Sequence, residues 1–422
     1  MNKDEKSKKM KIVQVNCVYD YGSTGKLTKQ IHTGLLKRGF ESVVLYGRRQ
    51  RTEDKFVYKT CTELEAKAWN LLSRITGYPY SVAPFGTRRL LRILKKEKPD
   101  IVQLQCLNGF FVNIYELLEY LKKEQITTVL TLHAEFMYTG GCSHSLECEQ
   151  WKSDTGCGTT MCPQYHKEIH NFCRDKSGKV WRKMKCAFKG MEDISEIVSV
   201  SPWLERRAKQ SSILKNERHC VILNGIDTEV FHKYDTEDLR KQYEKNGRKI
   251  VFHATPMFSA DKEHIKGGYY VLKLAEMMPE MLFLIAGQYE TNIKVPDNVL
   301  LLGQITDQQR LARYYSMADI TLLTSKRETF SMVCAESLCC GTPVVGFKAG
   351  APELIAIPEY SAFFEHGDIN GIKKFIEDND FHEKKENICK KAHKIYAVDA
   401  MIDKYINLYE QIRRDNGEKN DE

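Results

Sequence analysis

The stretch Ala318–Leu354, ADITLLTSKRETFSMVCAESLCCGTPVVGFKAGAPEL, constrains the fold more than any other part of the chain. Asp319–Leu323 is a short apolar run of the kind that becomes a buried strand. Thr324–Glu328 is a polar loop, and a helix is expected from near Ser331 to Cys340. Gly341 stops that helix, Thr342–Pro343 turns the chain, and Val344–Phe347 opens another strand. A strand–loop–helix–strand unit of this sort belongs to a parallel sheet.

Ligands of open α/β sheets bind outside the carboxyl ends of the strands. Glu328 falls in a loop at such an end, and Glu336 lies eight residues later inside the helix. The first helical turn offers backbone N–H groups at Phe330, Ser331, Met332 and Val333, which suit a phosphate. Glu336 could accept hydrogen bonds from a ribose diol, and Glu328 could meet a sugar hydroxyl. A nucleotide sugar has its parts in that order: ribose, diphosphate, sugar. Taken alone, two glutamates at this spacing are more readily plain surface residues.

The same alternation runs through the chain. KIVQVNCV (residues 11–18) reads as a strand, followed by the turn DYGSTG, whose Gly22 and Gly25 would let a ligand approach backbone at a helix start. That turn is not a P-loop, because Leu27 stands where a Ser or Thr would bind magnesium. Ser42–Tyr46, Pro99–Gln105 and Thr127–His133 read as strands, with helices over Thr87–Lys96 and Ile114–Leu121. Residues 165–192 read as a basic helical stretch, Glu196–Val200 as a strand, and Ser211–His219 as a polar hinge. Beyond the hinge come strands at Lys249–Ala254, Met281–Ala286 and Val299–Leu302, with helices at Tyr269–Met278 and Gln308–Met317. Asp399–Ile412 reads as a terminal helix.

Glu-x7-Glu followed by GTPVVG and GAPEL resembles the donor site of family-four retaining glycosyltransferases of GT-B architecture. The resemblance extends outward to VILNGID (221–227), Lys266–Gly267, Ala286–Gly287 and YYSMADI (314–320), and covers residues 11–414. It implies two Rossmann-like doubly wound α/β domains facing across a cleft. The expected boundaries are a disordered basic tail at 1–10, an acceptor-side domain at 11–215 and a nucleotide-sugar domain at 216–398. A helix at 399–414 would cross back to the first domain, and 415–422 would be a disordered tail. The resemblance implies transfer of a sugar from a nucleoside diphosphate sugar to a hydroxyl acceptor, with retention and no catalytic metal or other cofactor. Glu328 would hold the sugar, Glu336 the ribose and Lys266 the diphosphate. The loop with Gly22 and Gly25 would face the transferred sugar, and His133 would contact the sugar and the reacting centre. The family's usual Arg before Lys266 is absent, leaving Lys262 as the nearby cation. The pathway would be bacterial exopolysaccharide, capsule or lipopolysaccharide assembly on a glycan or lipid-linked glycan. Alternatives are a nucleotide-sugar epimerase or phosphorylase on the same architecture, or a zinc-containing nucleic-acid-binding protein. The last would leave Glu-x7-Glu unexplained, so no nucleic-acid partner is expected.

Cys142, Cys148, Cys157 and Cys162 fall within the insert at 140–164. Four thiolates in so short a loop can surround a structural zinc; they can also be free thiols or a disulfide pair. Trp151 and Pro163–Gln164 match a similar insert in the colanic-acid type of surface-polysaccharide transferase. The chain has no apolar run long enough for a membrane span and no signal-like leader, so a cytoplasmic location is expected, at the inner face of the membrane if the acceptor is lipid-linked. Net charge is +8. Residues 1–220 hold 38 Lys and Arg against 24 Asp and Glu, or +14; residues 221–422 hold 26 against 32, or −6. The basic half implies either a solvated surface or an anionic partner such as a membrane, met through Arg88, Arg89, Arg92, Lys95 and Lys96.

Overall fold

The computed structural model describes residues 9–243 and 247–421. Residues 1–8, in the expected basic tail, and residue 422 lie outside the described residues. The chain forms two units: 1–222 with 402–422, and 223–401.

The first unit contains β1 (Lys11–Asn16), α1 (Gly22–Lys37), β2 (Glu41–Tyr46), β3 (Val57–Lys59), α2 (Glu63–Thr76) and α3 (Pro84–Glu97). It continues with β4 (Ile101–Leu104), α4 (Ile114–Lys123), β5 (Thr127–Leu132), α5 (Ser177–Phe188), β6 (Ser195–Ser199), α6 (Pro202–Gln210) and β7 (Arg218–Val221). Its strands form a sheet in the order β3-β2-β1-β4-β5-β6-β7. All its pairings are parallel. Parallel strands are covered by helices on both faces, so they read as unbroken apolar runs. β4 is buried at every residue and β1 at all but its first.

The second unit contains α7 (Glu237–Tyr243), β8 (Ile250–Phe258), α8 (Gly268–Met277), β9 (Leu282–Tyr289), β10 (Val299–Gly303), α9 (Gln308–Met317) and β11 (Ile320–Leu323). Then come α10 (Met332–Cys339), β12 (Val344–Phe347), α11 (Pro352–Ile355), β13 (Ser361–Phe364), α12 (Ile369–Asp378), α13 (Lys385–Tyr396) and the start of α14 (Val398–Asp421). The sheet order is β10-β9-β8-β11-β12-β13, again parallel throughout. The order reverses direction between β8 and β11, and a crevice at such a switch point is where an open α/β sheet binds its ligand. Val251, Phe283, Ile285, Leu322 and Val345 pack with α8 and α12 in the core. The chain thus has two Rossmann-like doubly wound domains.

Four sequence expectations differ from the structure. The hinge at 211–219 is not a linker: Arg218–Val221 pairs with Glu196–Ser199 as the edge strand β7, so the first unit ends at residue 222. A polar edge strand has a weak apolar signature, which is why its polarity resembles a loop. Of the helical stretch 165–192, only α5 is α-helical, and residues before it are turns. α1 starts at Gly22, so Gly25 lies inside its first turn. The expected tail from 415 continues as helix to Asp421. Asp415 pairs with Arg218 at 3.1 Å and the Asn416 amide donates to Thr127 Oγ1 at 3.1 Å, which anchors the helix past its apolar stripe. From Ile402 onward α14 belongs to the first unit, where Tyr405 and Tyr409 are buried and the Tyr409 hydroxyl donates to Gln103 Oε1 at 2.8 Å.

Candidate functional site

β11 is fully buried, and its carboxyl end delivers Thr324 to a turn packed against Gly267. A Cβ on Gly267 would lie 2.0 Å from the Thr324 carbonyl oxygen, and its φ is +67°, so only glycine fits. Thr324 Oγ1 donates to the Lys266 carbonyl at 3.1 Å, and the Lys326 amide donates to the Ile265 carbonyl at 2.8 Å. This lock sets the Lys266 side chain against Glu328, Nζ to Oε1 2.7 Å, both partly exposed.

Glu328 is also held through its backbone. Its amide donates to the Ala349 carbonyl at 2.9 Å, and its carbonyl accepts from Ala351 at 3.2 Å. The Glu353 carboxylate in turn accepts from Ala349 at 3.1 Å and Gly350 at 2.9 Å. The GAPEL motif therefore acts as a brace for the loop that carries Glu328.

α10 begins under strain. Its N-cap, Ser331, has φ +83°, and its hydroxyl accepts from the Cys334 amide at 3.3 Å. A non-glycine residue at positive φ costs on the order of 1–3 kcal/mol, which packing elsewhere offsets. The first turn that follows has N–H groups without intrahelical acceptors and comes directly after the loop from the carboxyl end of β11. α10 is apolar on nearly every side and is buried accordingly. Its one carboxylate, Glu336, is 9% exposed and accepts from the Tyr315 hydroxyl at 3.2 Å. Burial, then the charge of Glu336, pushes the Tyr315 hydroxyl far above its ordinary range, so it remains a donor.

Glu336 and Val333 line a cavity of about 230 Å³ together with Thr255, Gly287, Gln304 and Tyr315. A Cβ on Gly287 would sit 1.9 Å from the Thr255 carbonyl, and φ is +145°, so Gly287 keeps this wall open. Tyr315, Thr255, Gln304 and Glu353 were not singled out from sequence. Tyr315 lies within the YYSMADI motif and Glu353 within GAPEL, and a hydroxyl on the buried face of α9 needs a partner.

Among the expected donor residues, Lys266, Glu328, Ser331, Met332, Val333 and Glu336 gather at this end of the sheet. Phe330 is buried, so what it can offer a ligand is backbone. Lys262 is exposed, and no described contact joins it to Glu328 or α10. Behind the pair, His253 is buried and its Nδ1 donates to the Leu322 carbonyl at 2.9 Å. Burial, and then Lys266, lower its pKa to about 4.

The first unit holds the other candidates. His133 follows β5, half-buried, with Nε2 3.3 Å from Gln105 Oε1. The Gln105 amide nitrogen donates to Gln14 Oε1 at 2.8 Å, which leaves its oxygen for His133, so Nε2 carries the proton. Burial lowers His133 to about 4, so the ring is neutral at pH 7. Gly22 is exposed with φ +62°, and Gly25 is buried with Asp20 N 3.2 Å from where a Cβ would stand. The turn between β1 and α1 is organised by Asn16, whose amide donates to Val18 O and Thr28 Oγ1, each at 2.8 Å.

The expected zinc loop carries Cys142, Cys148, Cys157 and Cys162. Among the described residues no three His, Cys, Asp or Glu side chains are placed to hold a metal ion. The four cysteines are free thiols; burial pushes Cys157 up to about 12 and Cys142 well above its ordinary range. Side chains from outside the cysteine set also pin the loop. Glu135 is fully buried and pairs with Arg207 Nε at 2.5 Å. The Arg207 guanidinium lies 4.7 Å from the Trp151 ring and 4.9 Å from that of Trp203. Trp151, fully buried, donates to the Cys148 carbonyl at 2.8 Å. A charge and an indole more than fifty residues apart thus meet at this loop.

Comparison with known proteins places this geometry. The family described as Glycosyltransferase Family 4 matches residues 24–230, and that described as Glycosyl transferases group 1 matches residues 235–395. The chain is 21% identical to the colanic acid biosynthesis glycosyl transferase WcaC of Escherichia coli over 96% of this chain and 100% of that one. It is 24% identical to N-acetyl-alpha-D-glucosaminyl L-malate synthase of Bacillus anthracis, over 54% of this chain and 62% of that protein's length. Among solved structures, sucrose-phosphate synthase from Thermosynechococcus elongatus superposes with TM-score 0.66 at 16% identity, covering 96% of this chain and all of that one. Anabaena Alr3699/HepE, solved in complex with UDP, gives TM-score 0.63 at 14% identity, covering 95% of this chain and all of that one.

Proposed function

The chain belongs to the GT-B, family-four glycosyltransferases, in their surface-polysaccharide subgroup, and from that premise we propose that it moves a sugar from a nucleoside diphosphate sugar to a hydroxyl acceptor with retention. The observation that carries the reading is one loop-and-helix unit presenting three functions in series. Glu336 closes a nucleoside-sized cavity, the first turn of α10 follows, and the Lys266–Glu328 pair lies beyond it.

In this reading the ribose diol donates to Glu336, and the diphosphate rests on the first-turn N–H groups. Lys266 leaves Glu328 for the diphosphate and stabilises the charge that grows as it departs. One such donor contributes about 3–4 kcal/mol at the transition state. Glu328, released from Lys266, accepts from a sugar hydroxyl. With Glu328 engaged by that hydroxyl, transfer is same-face in this reading, without a covalent glycosyl-enzyme. The leaving phosphate then takes the acceptor's proton, and these cationic and dipolar groups stand where a catalytic metal would otherwise be needed. His133, with its Nε2–H donor, is assigned to the transferred sugar by the family resemblance. The acceptor is a glycan or lipid-linked glycan of a bacterial surface polysaccharide.

The test is thermal stabilisation by a panel of UDP-, GDP- and ADP-sugars, followed by transfer assays with the best one. A donor at a hundred times its Kd adds about 2.7 kcal/mol. One nucleotide series is expected to raise the melting temperature, and the product should keep the donor's anomeric configuration. A panel with no stabilising nucleotide sugar refutes the donor site. Turnover of donor without any acceptor points to an epimerase instead.

A further inference from the structure

α2 is built inside out. Its buried residues are the small Ala66 and Ser73. Its large apolar residues, Leu64, Leu71, Leu72 and Ile75, are 37% to 80% exposed. With the exposed Ala68 they fall at i, i+4, i+7, i+8 and i+11, one continuous stripe along the helix. A stripe of that spacing normally faces a core; here it faces solvent.

α3 lies beside it. The Glu65–Arg89 ion pair, 2.5 Å, and the Trp69–Phe85 ring contact, 6.4 Å between centroids, join the two helices antiparallel. Phe85, 53% exposed, heads a face that continues with Arg88, Arg92, Lys95 and Lys96. These four cations are exposed and, among the described residues, have no ion-pair partner. The three carboxylates of the two helices are neutralised: Glu63 by Arg48 at 2.9 Å, Glu65 by Arg89, and Glu97 by Lys11 at 3.2 Å. Arg89, which sequence grouped with the surface cations, is therefore a strut between helices. It leaves an apolar ridge edged by four unopposed positive charges.

We propose that α2 and α3 form a membrane-docking surface, with the Leu64–Ile75 stripe entering the interface of an anionic bilayer and the α3 cations meeting its headgroups. The proposal stands apart from the transfer reading, since none of these residues belongs to the donor site. Charge chooses the occupant. A second copy docked by this face across a twofold axis would set the same cations against each other. An anionic lipid surface satisfies both the stripe and the cations, the two signals a stable peripheral attachment needs. No helix among the described residues is long and apolar enough to cross a membrane, so the surface would lie on the bilayer.

The experiment is flotation of the full-length protein with vesicles of phosphatidylcholine alone, or with about a third phosphatidylglycerol, at low and high salt. Binding to the anionic vesicles is expected, weakened but not abolished by salt, with little binding to phosphatidylcholine. Arg88→Gln with Arg92→Gln should weaken partitioning about 25-fold, roughly fivefold per cation. Leu71→Ser with Ile75→Ser should weaken it at least about tenfold and remove the salt-resistant part. Lys294→Gln with Lys374→Gln, which removes two exposed cations from the second unit, should change nothing. All six positions are on the surface, so the variants should fold normally. No binding to either vesicle overturns the proposal, as does equal loss with the second-unit pair. Self-association of the wild type that the serine variants abolish would assign the face to a second copy and overturn it too.

Discussion

Glu336→Ala separates the nucleoside half of the donor site from the rest. Glu336 sits on the cavity wall with one carboxylate oxygen 3.2 Å from the Tyr315 hydroxyl. If it accepts from a ribose diol, two charge-assisted hydrogen bonds are lost, each contributing about 1.5–3 kcal/mol. Discounting for water that replaces them, affinity for free nucleoside diphosphate should fall by about 2–4 kcal/mol, some thirty- to thousandfold in Kd. The ribose contact is the same in ground and transition states, so kcat at saturating donor should change far less. Truncation also removes the acceptor of a buried hydroxyl, which costs about 1–3 kcal/mol of stability. Glu336→Gln keeps an acceptor for Tyr315 and should restore most of the stability but only part of the affinity. Calorimetry with the diphosphate, steady-state kinetics and a melting curve on the three proteins measure all of this. Unchanged diphosphate affinity in Glu336→Ala would refute the assignment of the cavity to the nucleoside, whatever happened to stability.

Lys266→Ala should lower turnover about a hundredfold or more while leaving the melting temperature nearly unchanged, since a partly exposed pair adds at most about 1 kcal/mol. Glu328→Ala should leave affinity for the free diphosphate almost intact and impair transfer; the reverse pattern would exchange the roles of the two glutamates. Arg207→Ala should destabilise the first unit by about 3–5 kcal/mol, because it strands the buried Glu135, and a Glu135→Leu, Arg207→Met double variant should recover much of the loss in thermal unfolding. His253 is held neutral with a folded pKa of about 4, against roughly 6.5 unfolded. Its contribution is complete above pH 6.5 and is lost as pH falls toward 4, where the unfolded chain binds the extra proton. Denaturation across that window should show His253→Gln lowering the slope of stability against pH by about 1.4 kcal/mol per unit. Elemental analysis is expected to find well under one zinc per chain; a stoichiometric metal with masked thiols would show that the 140–164 loop closes on it.

The sequence by itself determined the class of fold, because parallel strands buried on both faces leave unbroken apolar runs such as ITLL and VVGF. It also marked the loop between β11 and α10, because the Glu-x7-Glu spacing is a local feature of one strand–helix unit, as Lys266–Gly267 is of the turn between β8 and α8. Only the tertiary structure decided which partners those residues meet. Lys266 and Glu328 are 62 positions apart, Tyr315 and Glu336 are 21 apart, and Arg207 is 72 from Glu135. Such pairs depend on strand order and register, which no local pattern encodes. Cys142 to Cys162 make a related point: among the described residues no three metal-binding side chains gather at one centre, and nearness along the chain does not decide that. α2 is the sharpest case: periodicity in Leu64, Leu71, Leu72 and Ile75 says that a helix has an apolar face, but not whether that face is covered. Coverage depends on what packs above it, and only the assembled unit shows small residues buried beneath α2 and its leucines exposed.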